Sequence, residues 1–108
     1  MNWNRQTKIK LALEIQKISR ATQEEVFNEA RGNLVSFVEC VDKTIERIMS
    51  RLGPLGFEPA NKDWRHEEGG KVTIYKDSPT HLWFEIAQAR VVKIKKSLAE
   101  RVLVLGIP

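Results

Sequence analysis

The 108-residue sequence predicts an α+β fold, an N-terminal antiparallel two-helix hairpin packed on one face of a C-terminal antiparallel β-meander of four to five strands. Three observations predict it. Apolar residues recur at three- and four-residue steps through 4–52, as on one face of a helix. Two glycines and two prolines interrupt the chain within 53–63. From 64 onward the pattern turns to strand-like alternation. The expected organisation is one domain over 1–108, with helices at 4–31 and 33–52, a connector at 53–63 and a sheet at 64–107.

The first helix carries an unusually wide apolar arc. Leu11, Ile15, Ile18 and Val26 form one stripe, while Ile9, Leu13 and Phe27 form another on a different side. A helix apolar on two sides touches two neighbours. Thr22 followed by Glu25 has the form of a capping box, which would restart the helix there, but the first stripe runs on through Thr22 to Val26 without a break. An unbroken helix over 4–31 would be ~42 Å long. That exceeds the diameter of about 34 Å expected for a domain of this length. The overhang needs a partner, most simply a second copy, so Ile9, Leu13 and Phe27 are the expected contacts of a homodimer.

The second helix is more ordinary. Leu34, Val38, Val41, Ile45, Ile48 and Leu52 fall on one arc, with Phe37 and Met49 at its edges and Glu39, Lys43, Glu46 and Arg47 opposite. Asn33 is placed to cap its first turn, and Gly53 with Pro54 ends it. Leu55 and Phe57 then anchor the connector to the core.

Strand chemistry follows. Runs at 64–67 and 71–76 flank Glu68, Gly69 and Gly70, a hairpin signal. Val72 and Ile74 alternate with Thr73 and Tyr75. In the next run Leu82, Phe84 and Ile86 point inward and Trp83 and Glu85 outward. A strand over 90–95 turns Val92 and Ile94 inward. The run 101–107 is apolar on both faces, as in a covered strand. Val91, Ile94, Leu98, Val102 and Leu105 also fit a helix, but the β-branched density favours strands.

Composition sets the function classes. The chain is 42% apolar and 30% charged, with 18 basic and 14 acidic residues giving a net charge of +4. The excess is spread along the chain, with no basic arm, and mildly favours an anionic partner. The single Cys40 forms no internal disulfide and reads as a packed free thiol. Charges interrupt the N-terminus where a signal peptide needs an apolar core, and no 18-residue apolar window exists, so a cytoplasmic protein without a membrane segment is expected. His66, Glu68 and His81 offer too few convergent ligands for a metal, and no phosphate loop or nucleophile motif is present, so no cofactor is expected. The stretch from Thr22 resembles the opening of a repressor-type helix-turn-helix. The helix after it begins Leu34, Val35, Ser36, Phe37, Val38, which wants a core and argues against sequence-specific DNA reading.

The outer sheet face is the candidate site. Thr73, Tyr75, Trp83, Glu85, Lys93 and Lys95 are expected on the side away from the helices, with Arg90 at the start of its strand. Aromatics interleaved with lysines suit stacking and phosphate neutralisation, although Tyr75 and Trp83 would also serve as a stabilising cross-strand pair. The leading reading is a small non-catalytic binding or regulatory protein, dimeric, engaging a protein or anionic ligand through Tyr75, Trp83, Arg90, Lys93 and Lys95 or through the dimer groove. Over 23–107 the order of a helical hairpin followed by an antiparallel sheet bearing Arg90 and lysines resembles RelE-type ribosome-dependent ribonuclease toxins. That family's usual first strand has no counterpart here, because residues 1–10 are helical and charged. The resemblance implies RNA binding or cleavage involving Tyr75, Arg90, Lys93 and Lys95. A third reading is a protein that sequesters a nucleotide or small signal.

Overall fold

A computed structural model describes residues 1–33, 35–60, 67–69, 72–87 and 90–107, with 67–69 and 72–77 described by backbone alone. Two N-terminal helices, α1 (Arg5–Glu29) and α2 (Phe37–Leu52), precede strands β1 (Glu58–Ala60), β2 (Glu67–Gly69), β3 (Val72–Asp77), β4 (His81–Glu85) and β5 (Val91–Lys95), and a C-terminal helix α3 (Lys96–Leu105). The sheet is antiparallel in the order β1-β5-β4-β3-β2. Among the described residues no helix is long and apolar enough to cross a membrane.

Helix α1 is unbroken over 25 residues. The Asn4 side chain caps its start by accepting from the Thr7 amide at 2.9 Å. Its buried stripe holds Lys8, Leu11, Ala12, Ile15, Ser19, Thr22 and Val26. Thr22 does not restart the helix. Its hydroxyl donates back to the Ile18 carbonyl at 2.7 Å, as Ser19 does to Ile15 at 2.8 Å, so both buried hydroxyls are satisfied without opening the backbone. At ~37 Å long, α1 spans much of the 47 Å long axis of a molecule only 29 and 23 Å across the others.

Helix α2 begins later than its apolar pattern suggests. Ser36, not Asn33, is the N-cap, its hydroxyl accepting from the Glu39 amide at 3.1 Å. Asn33 instead donates its side-chain amide to the Glu29 carbonyl at 3.2 Å, closing the end of α1. The chain needs residues between the helices to reverse direction, and Gly32 at φ 84° supplies part of that turn. The buried face is Cys40, Thr44, Ile48 and Leu52, each four residues from the last. That face is rotated from the expected arc, leaving Phe37 62% and Val38 66% exposed. Leu34 lies outside the described residues.

The core gathers Leu11 and Ile15 of α1, Ile48 and Leu52 of α2, Phe57, Leu82 and Phe84 of β4, Val92 and Ile94 of β5, and Ala99 and Val102 of α3. Cys40 is buried and free.

Three expectations for the C-terminal half are corrected. Residues 101–107 are not a strand. Residues 96–105 form α3, which buries Ala99 and Val102 and ends at Gly106. A strand there would need a neighbour, but the edge of β5 is already occupied by β1, with Glu58, Pro59 and Ala60 opposite Lys93, Val92 and Val91. That edge strand arises inside the stretch expected to be mere connector. Glu68 and Gly69, expected in a turn, are strand residues paired with Thr73 and Val72. The strand expected at 64–67 falls, apart from Glu67, outside the described residues.

Candidate functional site: the outer sheet face

Strand β4 alternates as its sequence demands, with Leu82 and Phe84 buried and His81, Trp83 and Glu85 half-buried. In β5, Val92 and Ile94 are buried, Lys93 is half-buried and Lys95 exposed. Residues opposite one another on neighbouring strands share a face. Trp83 stands opposite Lys93, and His81 opposite Lys95. Two successive rows therefore each set a ring-bearing residue opposite a lysine on the side turned from the core. The His81 and Trp83 rings lie 5.8 Å apart, tilted by 49°. The His81 imidazole is held in turn by Nδ1 against the Thr80 hydroxyl at 2.7 Å, and its amide donates to Ser78 Oγ at 3.0 Å. The turn before β4 thus fixes one end of the aromatic pair.

Charge on this face is mixed. Glu58 on β1 lies opposite Lys93, and Glu85 opposite Val91, so carboxylates border the lysines. Arg90 is exposed and precedes β5. Its amide donates to the Ala87 carbonyl at 2.9 Å, and its carbonyl accepts from Ile86 at 3.0 Å. It belongs to the β4–β5 connection, at the margin of the lysine rows.

Tyr75 is displaced from its expected place. Ile74 pairs with Phe84 and Lys76 with Trp83, so the register slips by one residue at Tyr75. Such a bulge sets two residues of one strand against one of the next. Lys76 therefore holds the register position beside Trp83 that alternation assigns to Tyr75. Alternation cannot reveal this, because a bulge leaves the residue types unchanged and shifts only their partners. His81, by contrast, was legible: it stands two residues before Trp83 in the same strand.

The residues expected at a dimer contact are separated. Ile9 packs partly against the protein's own core. Leu13 is 44% exposed. Phe27 is half-buried, its ring edge-on to Phe37 with centroids 6.1 Å apart.

A charged cluster between α1 and α2 escaped the sequence reading. Arg51 grips Glu25 with two bonds of 2.7 and 2.8 Å and donates to the Thr22 hydroxyl at 2.6 Å. Arg47 reaches Glu29 at 2.8 Å and Glu25 at 3.5 Å. The hydrogen bond from Arg51, aided by the charge of both guanidiniums and opposed by partial burial, holds Glu25 below the usual glutamate range. The same contacts, led by Glu29 for Arg47 and by Glu25 for Arg51, raise both arginines. The signal was present as acids spaced by four on one helix and bases spaced by four on the next. All four charges are used in fastening the helices together.

Among the described residues no group of three histidine, cysteine or acidic side chains is placed to hold a metal ion. No protein-family model, curated protein or solved structure matches this chain.

Proposed function

We propose that this is a small binding protein of the non-catalytic, regulatory kind, which takes an anionic ligand on the outer face of its sheet. The observation that carries the reading is the pair of ring–ammonium rows, Trp83 with Lys93 and His81 with Lys95, side by side on the face turned from the core. A ring offers a stacking surface and an ammonium neutralises a phosphate, so each row suits one nucleotide-like unit. Tyr75 stands at the bulge in the neighbouring strand, and the exposed Arg90, at the margin, extends the same surface.

Single-stranded RNA is a second reading, favoured by the repetition of the row. Sheets that read single-stranded RNA stack two or three successive bases on neighbouring aromatic residues.

The test is a thermal-shift panel of nucleotides and RNA oligomers, followed by a salt titration of whatever binds, because a ligand that prefers the folded state raises its melting temperature. A phosphate-bearing ligand should stabilise the protein and bind more weakly as salt rises. Reversing both lysines (Lys93→Glu, Lys95→Glu) should weaken binding at least tenfold. Retention at full strength by that double variant would refute the reading.

A further inference from the structure

We infer, resting on the ligand reading above, that the outer sheet face takes its anion together with a proton carried by His81, so that binding tightens as pH falls. Imidazole is the side chain that ordinarily changes charge between about pH 5 and 8. The chain has two, His66 and His81, and His81 is the one placed in the ring–lysine rows.

The ring is held so that it can change charge without moving. Nδ1 lies 2.7 Å from the Thr80 hydroxyl. A hydroxyl both donates and accepts, so this contact survives whether or not Nδ1 carries a proton. Nε2 has no hydrogen bond among the described residues and is the nitrogen left for a ligand. In the imidazolium both nitrogens donate. Nδ1–H then goes to Thr80 and Nε2–H to the anion.

The surrounding charges couple that proton to the ligand. On β5, Lys95 stands opposite His81 and Lys93 opposite Trp83. On β3, Lys76 holds the position opposite Trp83, and Asp77 the position opposite Leu82, in the row on the core side. On α3, the Lys96 amide donates to the Thr80 carbonyl at 2.8 Å, and Glu100 meets the N-terminal ammonium at 3.5 Å. Glu58 lies beyond Lys93. Glu85 is four residues further along β4, ~13 Å away. Among the described residues, then, no carboxylate shares the rows beside His81. A phosphate lying across the rows supplies the missing negative charge. Proton and ligand therefore favour each other's binding by the same factor.

The probes are cyclic uridine monophosphate and a short oligouridylate lacking terminal phosphates. Their diesters keep one charge across this range, whereas a terminal phosphate titrates at about pH 6 and would mask the effect. At least one probe should bind the full chain roughly tenfold more tightly at about pH 5.5 than at about pH 8, the order of one added charge-assisted hydrogen bond. Calorimetry in buffers of different ionisation enthalpy should show proton uptake on binding. His81→Phe, which keeps a ring but gains no proton, and His81→Gln should each lose the pH dependence and the uptake. His66→Gln should keep both. Unchanged circular dichroism will show that the variants fold. Wild-type binding that is flat across pH and takes up no proton, a pH dependence that survives both His81 variants, or one that disappears in His66→Gln would each overturn the inference while leaving the ligand reading standing. Failure of both probes to bind at any pH would overturn the two together.

Discussion

Replacing Gly56 with alanine tests how the connector is packed against the last helix. Gly56 adopts φ 107° and ψ 4°, a conformation that residues with a Cβ rarely take. A left-handed backbone costs an L-residue about 1–2 kcal/mol. A Cβ there would also stand 2.5 Å from Leu98 Cδ1, 3.3 Å from its Cβ and 3.4 Å from its Cγ. Inserting an atom into packed surroundings costs about 1–3 kcal/mol more. Gly56→Ala should therefore lower stability by roughly 2–5 kcal/mol, summing the strain and the overpacking. Gly32 is the internal control. Its φ is 84°, but a Cβ there meets nothing within 4 Å, so only the strain applies. Gly32→Ala should cost about 1–2 kcal/mol. Equilibrium unfolding in urea, with unchanged slope, measures both. Leu98→Ala added to Gly56→Ala should cost less than Leu98→Ala alone, because truncation removes the clashing atoms. The coupling should fall in the range of about 0.5–3 kcal/mol found for residues in contact. Equal costs at Gly32 and Gly56, or an additive double variant, would refute the close approach of the connector to α3. That approach matters because the connector delivers β1 to the edge of β5.

Two further outcomes test the helical half. Glu25 titrates below its ordinary range when folded, so its contribution to stability is fully present above the unfolded glutamate's pKa and is lost as pH falls through the lowered folded value. Glu25→Gln should therefore flatten the loss of stability in the acid range below the ordinary glutamate pKa, as read by thermal melts across pH, and added salt should weaken the effect in the wild type. Ser36→Ala should cost about 1 kcal/mol by removing the cap of α2, whereas Asn33→Ala, which removes one exposed bond to a carbonyl, should cost distinctly less in the same urea assay.

The candidate site was partly legible. Trp83 and Lys93 follow from alternation alone, since a strand with Leu82 and Phe84 inward must turn Trp83 the other way. The start of α2 was legible too, in Ser36 followed three residues later by Glu39, a capping-box pattern that the apolar run across 34–38 obscured. Arg90 was placed in the strand because its β-branched neighbours extend the pattern, yet its backbone bonds to 86 and 87 close the connection between β4 and β5.

By itself the sequence determined the α+β class, the stop of α2 before Gly53 and Pro54, and the inward face of β4, but not whether α1 runs unbroken past Thr22. Each depends on the period of side chains along consecutive residues, which is a local property. Only the tertiary structure decided that 96–105 is helix, because that stretch satisfies both periods and the outcome turned on whether β5 had a free edge. It likewise decided the slip at Tyr75 and the Glu25–Arg51 grip, which rest on pairings between residues distant in the chain. Local periodicity says which face a residue takes; only the assembled neighbours say what it meets there.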